Sequence, residues 1–238
     1  MSCDALQRLA GRVSVIRIQT ARAFTLLELL VVVGLIALLA AGFGIALGDT
    51  GGNALASAQT TLATMVGSAR AQAAVHQTEA VLAIYATRPP TGEPEKYLRL
   101  LQVFRNSTPG AARPTWIPAG SPAVLPRGVY VVPPSTAGLL ASGVTWPSNP
   151  PLVSTVRGPI GLAQRPGTPF GTGATAFVLE FAADGTIAQI GALPHSRLVV
   201  ATAAQANNLP QFNNSAAVRG LILRPTGAVT FVNQAIGF

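Results

Sequence analysis

The feature that most constrains this chain is an apolar run over residues 24–47, which holds a single charged residue, Glu28. A continuous helix over this run would be about 36 Å long at roughly 1.5 Å per residue. The hydrocarbon core of a bilayer is about 30 Å thick, so the run predicts a transmembrane helix with some tilt. A carboxylate inside such a helix costs on the order of 2.5–3.5 kcal/mol, and we therefore expect Glu28 to have a partner.

The start of this run resembles the start of a mature type IV pilin or pseudopilin, because residues 24–32 read Phe-Thr-Leu-Leu-Glu-Leu-Leu-Val-Val. In that family a prepilin peptidase removes a short basic leader before the Phe, and the new amine is methylated. The resemblance implies cleavage between Ala23 and Phe24, N-methylation of Phe24 and a filament-assembly role for Glu28. Ala23 stands where the family strongly prefers Gly.

Physical chemistry suggests a partner for Glu28 independently of the resemblance. Cleavage before Phe24 would create an α-ammonium, with a reference pKa of about 7.7–8.0, one helical turn from the carboxylate. In an apolar setting the two charges attract strongly, either within one chain or between neighbours in a helix bundle. The alternative is a carboxylate that reaches the membrane interface from near the helix end.

Residues 1–23 form a basic leader that carries four arginines, one acid and the only cysteine of the chain, Cys3. The next basic residue after the run is Arg70, so the positive-inside rule predicts a single-pass protein with its N-terminus in the cytoplasm and the bulk of the chain across the membrane. The resemblance implies that this membrane is a bacterial inner membrane and that the head is periplasmic. The competing interpretation is an ordinary signal peptide ahead of a secreted β protein. Glu28 and the length of the apolar run argue against it.

Beyond the run, the sequence predicts an α+β fold in which a long N-terminal helix packs on an antiparallel β-sheet head. Residues 48–77 continue the helix as an amphipathic segment with an apolar stripe at helical spacing. The stripe comprises Leu55, Leu62, Met65, Val66 and Ala69, and the polar residues between them are Gln59, Thr60, Thr64, Ser68 and Gln72.

Residues 78–238 form the predicted head, in which β-branched and aromatic segments alternate with turn signals. The predicted strands cover residues 80–87, 97–104, 128–132, 176–181, 186–190, 197–203, 220–224 and 228–232. Residues 182–185 and 225–227 predict two hairpin turns. Residues 106–170 hold 13 of the 19 prolines, which predicts a loop-rich insertion anchored by Trp116 and Trp146.

Three short segments give a finer resemblance to the FimT/GspH class of minor pilins and pseudopilins. Residues 68–74 look like the end of its helix, and residues 180–186 and 224–229 look like its two late hairpins.

We predict neither an enzyme nor a bound metal or cofactor. His76 and His195 have no Cys or acidic residue at metal-ligand spacing, and Glu93 and Glu95 flank a proline on a predicted exposed turn. The sequence contains no phosphate loop, nucleophile elbow or zinc motif, and no acidic cluster of the calcium type.

DNA uptake by a DNA-binding minor pilin is the second functional hypothesis, with Arg219 and Arg224 as candidate phosphate contacts. The basic residues of the head fall in two groups, which are Arg88, Lys96, Arg99, Arg105, Arg113 and Arg127 in the first and Arg197, Arg219 and Arg224 in the second. Scattered, solvated charges are the simpler explanation, and the sparse aromatic residues argue against base stacking.

The resemblance therefore implies a structural subunit of a type II secretion or type IV pilus-like filament. Its predicted partners are a prepilin peptidase, other pilin or pseudopilin subunits, the inner-membrane assembly platform and the membrane itself.

Overall fold

A computed structural model describes residues 25–47, 50–112, 114–148, 151–161, 170–171, 173–187 and 195–238, with side chains in the first helix described over residues 25–36. The predicted leader and the predicted cleavage position at Ala23 and Phe24 lie outside these residues. So do Arg113, parts of the proline-rich insertion and the last three residues of the strand predicted over 186–190.

The chain divides into two compact units, Met1–Gly48 and Asp49–Phe238. Helix α1, Leu26–Leu47, belongs to the first unit. In the part of the chain that the structure describes, no helix has both the length and the apolar character needed to cross a membrane. The transmembrane helix predicted over residues 24–47 is therefore not confirmed.

Helix α2, Thr50–His76, belongs to the second unit, where it packs on both sheets of the head. The predicted apolar stripe of this helix is buried, as are Ala58 and Ala73. The helix ends at His76, and Gln77 then adopts a left-handed backbone with φ of 49° while the Thr78 amide bonds to the Ala73 carbonyl. One residue of the predicted polar face of this helix is placed differently, because Gln59 is buried with only 3% of its surface exposed.

Eleven strands are described in the second unit. Seven of them correspond to predicted strands with shifted ends, and those at residues 116–118, 123–124, 157–161 and 209–212 were not predicted. Of the strand predicted over 186–190, the described residues form only an isolated bridge at Ile187. The eleven strands are β1 Ala80–Tyr85, β2 Leu100–Asn106, β3 Trp116–Pro118, β4 Ala123–Val124, β5 Val129–Val131, β6 Arg157–Gly161, β7 Thr175–Phe181, β8 Ser196–Ala206, β9 Leu209–Phe212, β10 Val218–Leu223 and β11 Val229–Val232. A 3₁₀ helix, Ala235–Gly237, follows β11.

The strands form two antiparallel sheets. The first has the order β3-β2-β1-β7-β6, with β4 also paired to β2, and the second has the order β11-β10-β8-β5, with β9 also paired to β8. One continuous apolar core lies between α2 and both sheets. A second, smaller apolar core lies on the first sheet and contains Tyr85, Phe104 and Phe170. The rings of Tyr85 and Phe104 each contact the ring of Phe170 in an edge-to-face arrangement.

The α+β class and the antiparallel pairing are confirmed, whereas the single sheet and the single long helix are not. The head contains two sheets. Residues 48–49, between α1 and α2, lie outside the described residues, so the continuity of the predicted long helix stays a prediction. Strand β2 begins at Leu100 rather than Tyr97 because Leu98 has a φ of 57°, which an extended strand does not accommodate.

The hairpin of β10 and β11 is confirmed, with the Gly227 amide bonded to the Arg224 carbonyl across its turn. The turn after β7 closes through a bridge between Phe181 and Ile187. In the described part of the insertion, the strands that follow β2 are two to five residues long, as predicted. Trp146 anchors part of it, since its indole nitrogen donates to the Leu152 carbonyl at 2.8 Å.

Gln59 should contribute substantially to head stability because it joins α2 to the second sheet. Its Nε2 donates to the carbonyls of Gly220 at 2.8 Å and Val232 at 3.0 Å, and the side chain is buried. Gln59→Leu would leave both carbonyls without this donor, so we expect the free energy of unfolding to fall by about 2 kcal/mol. Urea denaturation followed by circular dichroism measures this change.

Thr60→Ala is the matched control, because Thr60 is exposed and its hydroxyl bonds only to the Ala56 carbonyl of the same helix. That variant should change the free energy of unfolding by less than about 0.5 kcal/mol. Equal effects of Gln59→Leu and Thr60→Ala would contradict the proposed contribution of Gln59.

Candidate functional site

The first turn of α1 holds the one acidic residue of that helix in a reciprocal hydrogen-bond pattern. The Glu28 Oε2 accepts hydrogen bonds from the Thr25 backbone nitrogen and from the Thr25 hydroxyl, both at 3.0 Å. The Thr25 hydroxyl in turn accepts a hydrogen bond from the Glu28 amide at 3.2 Å. This pattern is a capping box, which satisfies amides that an α-helix leaves unpaired at its start.

The capping box places the Glu28 carboxylate beside the peptide bond that joins Phe24 to Thr25, which is the bond after the predicted N-terminal residue. A carboxylate here can interact with the positive end of the helix and with a cation at its start. The predicted ammonium of Phe24 lies outside the described residues, so its pairing with Glu28 stays a prediction.

Around Glu28, the described side chains of α1 are mostly large and aliphatic, and they are exposed to solvent. Exposed fractions range from 83% at Leu26 to 48% at Val32. Such a helix surface leaves several large aliphatic side chains in contact with solvent, which is unfavourable unless other apolar groups cover them. The segment therefore combines a single carboxylate with an apolar surface suited to a bundle of similar helices or to lipid.

Residues 68–74, 180–186 and 224–229 meet at one place in the head, and their predicted likeness to the FimT/GspH class stays a prediction. Arg70 of α2 lies against Gly185 and Gly227, the glycines of the two late turns, and its Nη1 approaches the Gly227 carbonyl at 3.5 Å. The turns also bond to each other, because the Ile187 amide donates to the Pro225 carbonyl at 3.0 Å. Both glycines have φ near 80°, which favours glycine.

This turn cluster of Arg70, Gly185 and Gly227 is a packing arrangement that fixes both hairpin ends on α2. Asp184 belongs to the same turn as Gly185, and hydrogen bonds from the Thr186 hydroxyl and amide hold the pKa of its carboxyl below the usual value. The carboxylate thus stabilises its own turn, as predicted for a turn residue.

The three arginines of the second basic group, Arg197, Arg219 and Arg224, do not lie together on one exposed surface. Arg197 is buried, Arg219 is half-buried and Arg224 is exposed. Arg219 pairs with Val200 in the middle of the second sheet, whereas Arg224 lies in the turn after β10. Binding of DNA by Arg219 and Arg224 stays a prediction.

The remaining predicted polar groups occupy separate places. His76 is exposed at the end of α2, and His195 precedes β8. Glu93 forms an ion pair with Lys96, and Glu180 forms one with Arg157 at 3.0 Å. Among the residues with described positions, no three side chains of the His, Cys, Asp or Glu type come together.

Sequence reasoning missed the capping box, although its Thr-x-x-Glu signature is present at Thr25 and Glu28. It also missed the buried position of Gln59. No local pattern marks that residue, because its two acceptors lie 161 and 173 positions further along the chain.

Comparison with known protein families gives one match. A family model described as the prokaryotic N-terminal methylation motif matches residues 19–44, which include the predicted cleavage position and Glu28. No curated protein and no solved structure matched the chain. The motif implies processing by a prepilin peptidase and assembly with other pilins. The chain therefore carries a prokaryotic N-terminal methylation motif, which supports its placement among type IV pilin-like proteins.

Proposed function

We propose that this chain is a pseudopilin or minor pilin, a structural subunit of a type II secretion or type IV pilus-like filament. The observation that carries the proposal is the methylation motif over residues 19–44, within which Glu28 lies at the start of an exposed apolar helix. Its work is mechanical, without turnover of a substrate and without a cofactor. The head of two sheets and α2 supplies the folded body of the subunit.

In the proposed pathway, the precursor enters the inner membrane with its basic leader in the cytoplasm and its head in the periplasm. A prepilin peptidase cuts between Ala23 and Phe24, and the new amine of Phe24 is methylated. The assembly platform then adds the subunit to a filament in which its helix packs with those of other subunits. The exposed aliphatic surface over residues 26–36 supports this step, because packing with similar helices would remove it from water.

Intact mass and N-terminal sequencing of the protein from its host membranes test this proposal. We expect a chain that begins at Phe24 and carries one extra methyl group. Two variants at the preceding position sharpen the test. Ala23→Gly should be processed at least as completely as the natural chain, and Ala23→Glu should accumulate as the uncut precursor.

Two other results would contradict the proposal. A chain that begins beyond Gly42 would indicate an ordinary signal peptide and a secreted β protein. A chain that keeps the whole leader in both the natural protein and Ala23→Gly would indicate a membrane anchor that no prepilin peptidase processes.

A further inference from the structure

Arg197 is a buried arginine whose side chain has no hydrogen-bond or ion-pair partner among the described residues. It is the second residue of β8 and is only 3% exposed, and its neighbours Ser196 and Leu198 are buried as well. Its Nε is buried without a hydrogen-bond partner. Its backbone carbonyl accepts a hydrogen bond from the Thr155 amide at 2.8 Å, so the backbone at this point is held in place.

Arg99 provides an instructive comparison within the same head. It is 9% exposed, and its Nη1 and Nη2 donate to the carbonyls of Glu95 and Leu125. Its guanidinium also lies over the ring of Tyr130, at 5.8 Å from the centroid. Neutral acceptors thus satisfy Nη1 and Nη2 of Arg99, whereas its Nε, like that of Arg197, is buried without a hydrogen-bond partner. For Arg197, no hydrogen bond or ion pair of the side chain is found across the described residues.

The acids of the head do not supply a counter-ion for Arg197. The described acids are Glu79, Glu93, Glu95, Glu180 and Asp184, and none of them pairs with it. Residues 113, 149–150, 162–169, 172 and 188–194 of the head, which lie outside the description, contain no Asp or Glu.

We propose that Arg197 is the centre of an anion-binding site in the head and that its ligand is one oxyanion, a carboxylate or phosphate group, from outside the head. The guanidinium presents a planar fork of N–H donors that matches two oxygens of such a group. Taking an ionised side chain out of water without a partner is strongly unfavourable, and an oxyanion at this position offsets that penalty. Burial also lowers the pKa of Arg197, which remains a cation near neutral pH.

This anion site is separate from the predicted DNA contacts. Arg197 pairs with Ile222 of β10, and Arg219 is three residues from Ile222 on that strand. Because side chains alternate between the faces of a sheet, Arg197 and Arg219 project from opposite faces. The site does not rest on the proposed filament function, and correct or failed processing at Phe24 leaves it unaffected.

Thermal unfolding of the full chain in neutral detergent, followed by circular dichroism, tests the site. The probes are sodium phosphate and sodium acetate, each compared with sodium chloride at equal ionic strength. We expect at least one oxyanion to raise the unfolding temperature of the natural chain saturably, by about 3–6 °C at ten times its dissociation constant. Arg197→Met should lose this increment, and Arg219→Met should keep it.

The same measurement separates a binding role from a purely structural one. In chloride alone, Arg197→Met should unfold at the same temperature as the natural chain or a higher one, because the variant removes an unpaired buried charge. Unfolding at least about 5 °C lower in every salt would overturn the proposal, since the side chain would then be part of the fold itself. An equal response of the natural chain and Arg197→Met, including no response in either, would overturn it too.

Sedimentation velocity in the two salts then identifies the source of the oxyanion. Weaker self-association of the natural chain in phosphate than in chloride, but not of Arg197→Met, would support a carboxylate from a second copy as the ligand. Unchanged self-association, together with the thermal shift, would support a free phosphate or carboxylate ion.

Discussion

Glu28→Gln should abolish entry of the subunit into filaments while leaving cleavage and helix α1 intact. Glutamine can replace glutamate in a capping box, so the hydrogen bonds with Thr25 survive the exchange. What the variant removes is the charge, which the predicted ammonium of Phe24 requires as a partner in apolar surroundings. We therefore expect at least a tenfold loss of the assembled fraction, measured by immunoblotting of sheared filaments against the membrane fraction.

Thr25→Ala is the matched control for this prediction. It removes the hydroxyl that accepts from the Glu28 amide but keeps the carboxylate, and losing such a cap costs about 1 kcal/mol of helix stability. Assembly should then be close to normal. If Glu28→Gln assembled as well as the natural chain and Thr25→Ala did not, helix capping rather than charge would explain the role of Glu28.

The local features of the fold were predictable because their signals are local. The 3.6-residue periodicity of α2 identified its buried stripe, including Leu62 and Val66. The turn residues around Gly227 identified the last hairpin. The hairpin of β8 and β9 was missed, although Asn207 and Asn208, with φ of 50° and 63°, form a two-residue turn of a kind that asparagine favours.

The arrangement of the strands in two sheets was not predictable from local patterns. Strand β1 pairs with β7 across about 95 residues of chain, and β5 pairs with β8 across about 70. The burial of Arg197 has the same cause. The local sequence Ser-Arg-Leu-Val-Val does not reveal that a distant segment packs there, in which the Thr155 amide donates a hydrogen bond to the Arg197 carbonyl.

Gly220→Ala should be among the most destabilising small substitutions in the head. An added Cβ would collide with the Leu198 carbonyl oxygen of the neighbouring strand and lie 2.7 Å from the Phe238 ring. The carbonyl belongs to β8, which pairs with β10 over six residues, so the backbone cannot move aside cheaply. We expect a loss of about 3 kcal/mol or more in the free energy of unfolding, or roughly 6–12 °C in unfolding temperature.

Gly67→Ala makes the same chemical change where there is space for it. Gly67 is exposed in the middle of α2, and an added Cβ there meets no atom within 4 Å. Alanine should therefore stabilise this helix by about 0.5–1 kcal/mol. Both variants make the same glycine-to-alanine change, so a difference between them reports the surroundings of the glycine. A lower unfolding temperature for Gly220→Ala and a higher one for Gly67→Ala would therefore establish the close contact of β10 with β8 and the C-terminus. A Gly220→Ala protein as stable as Gly67→Ala would contradict that contact.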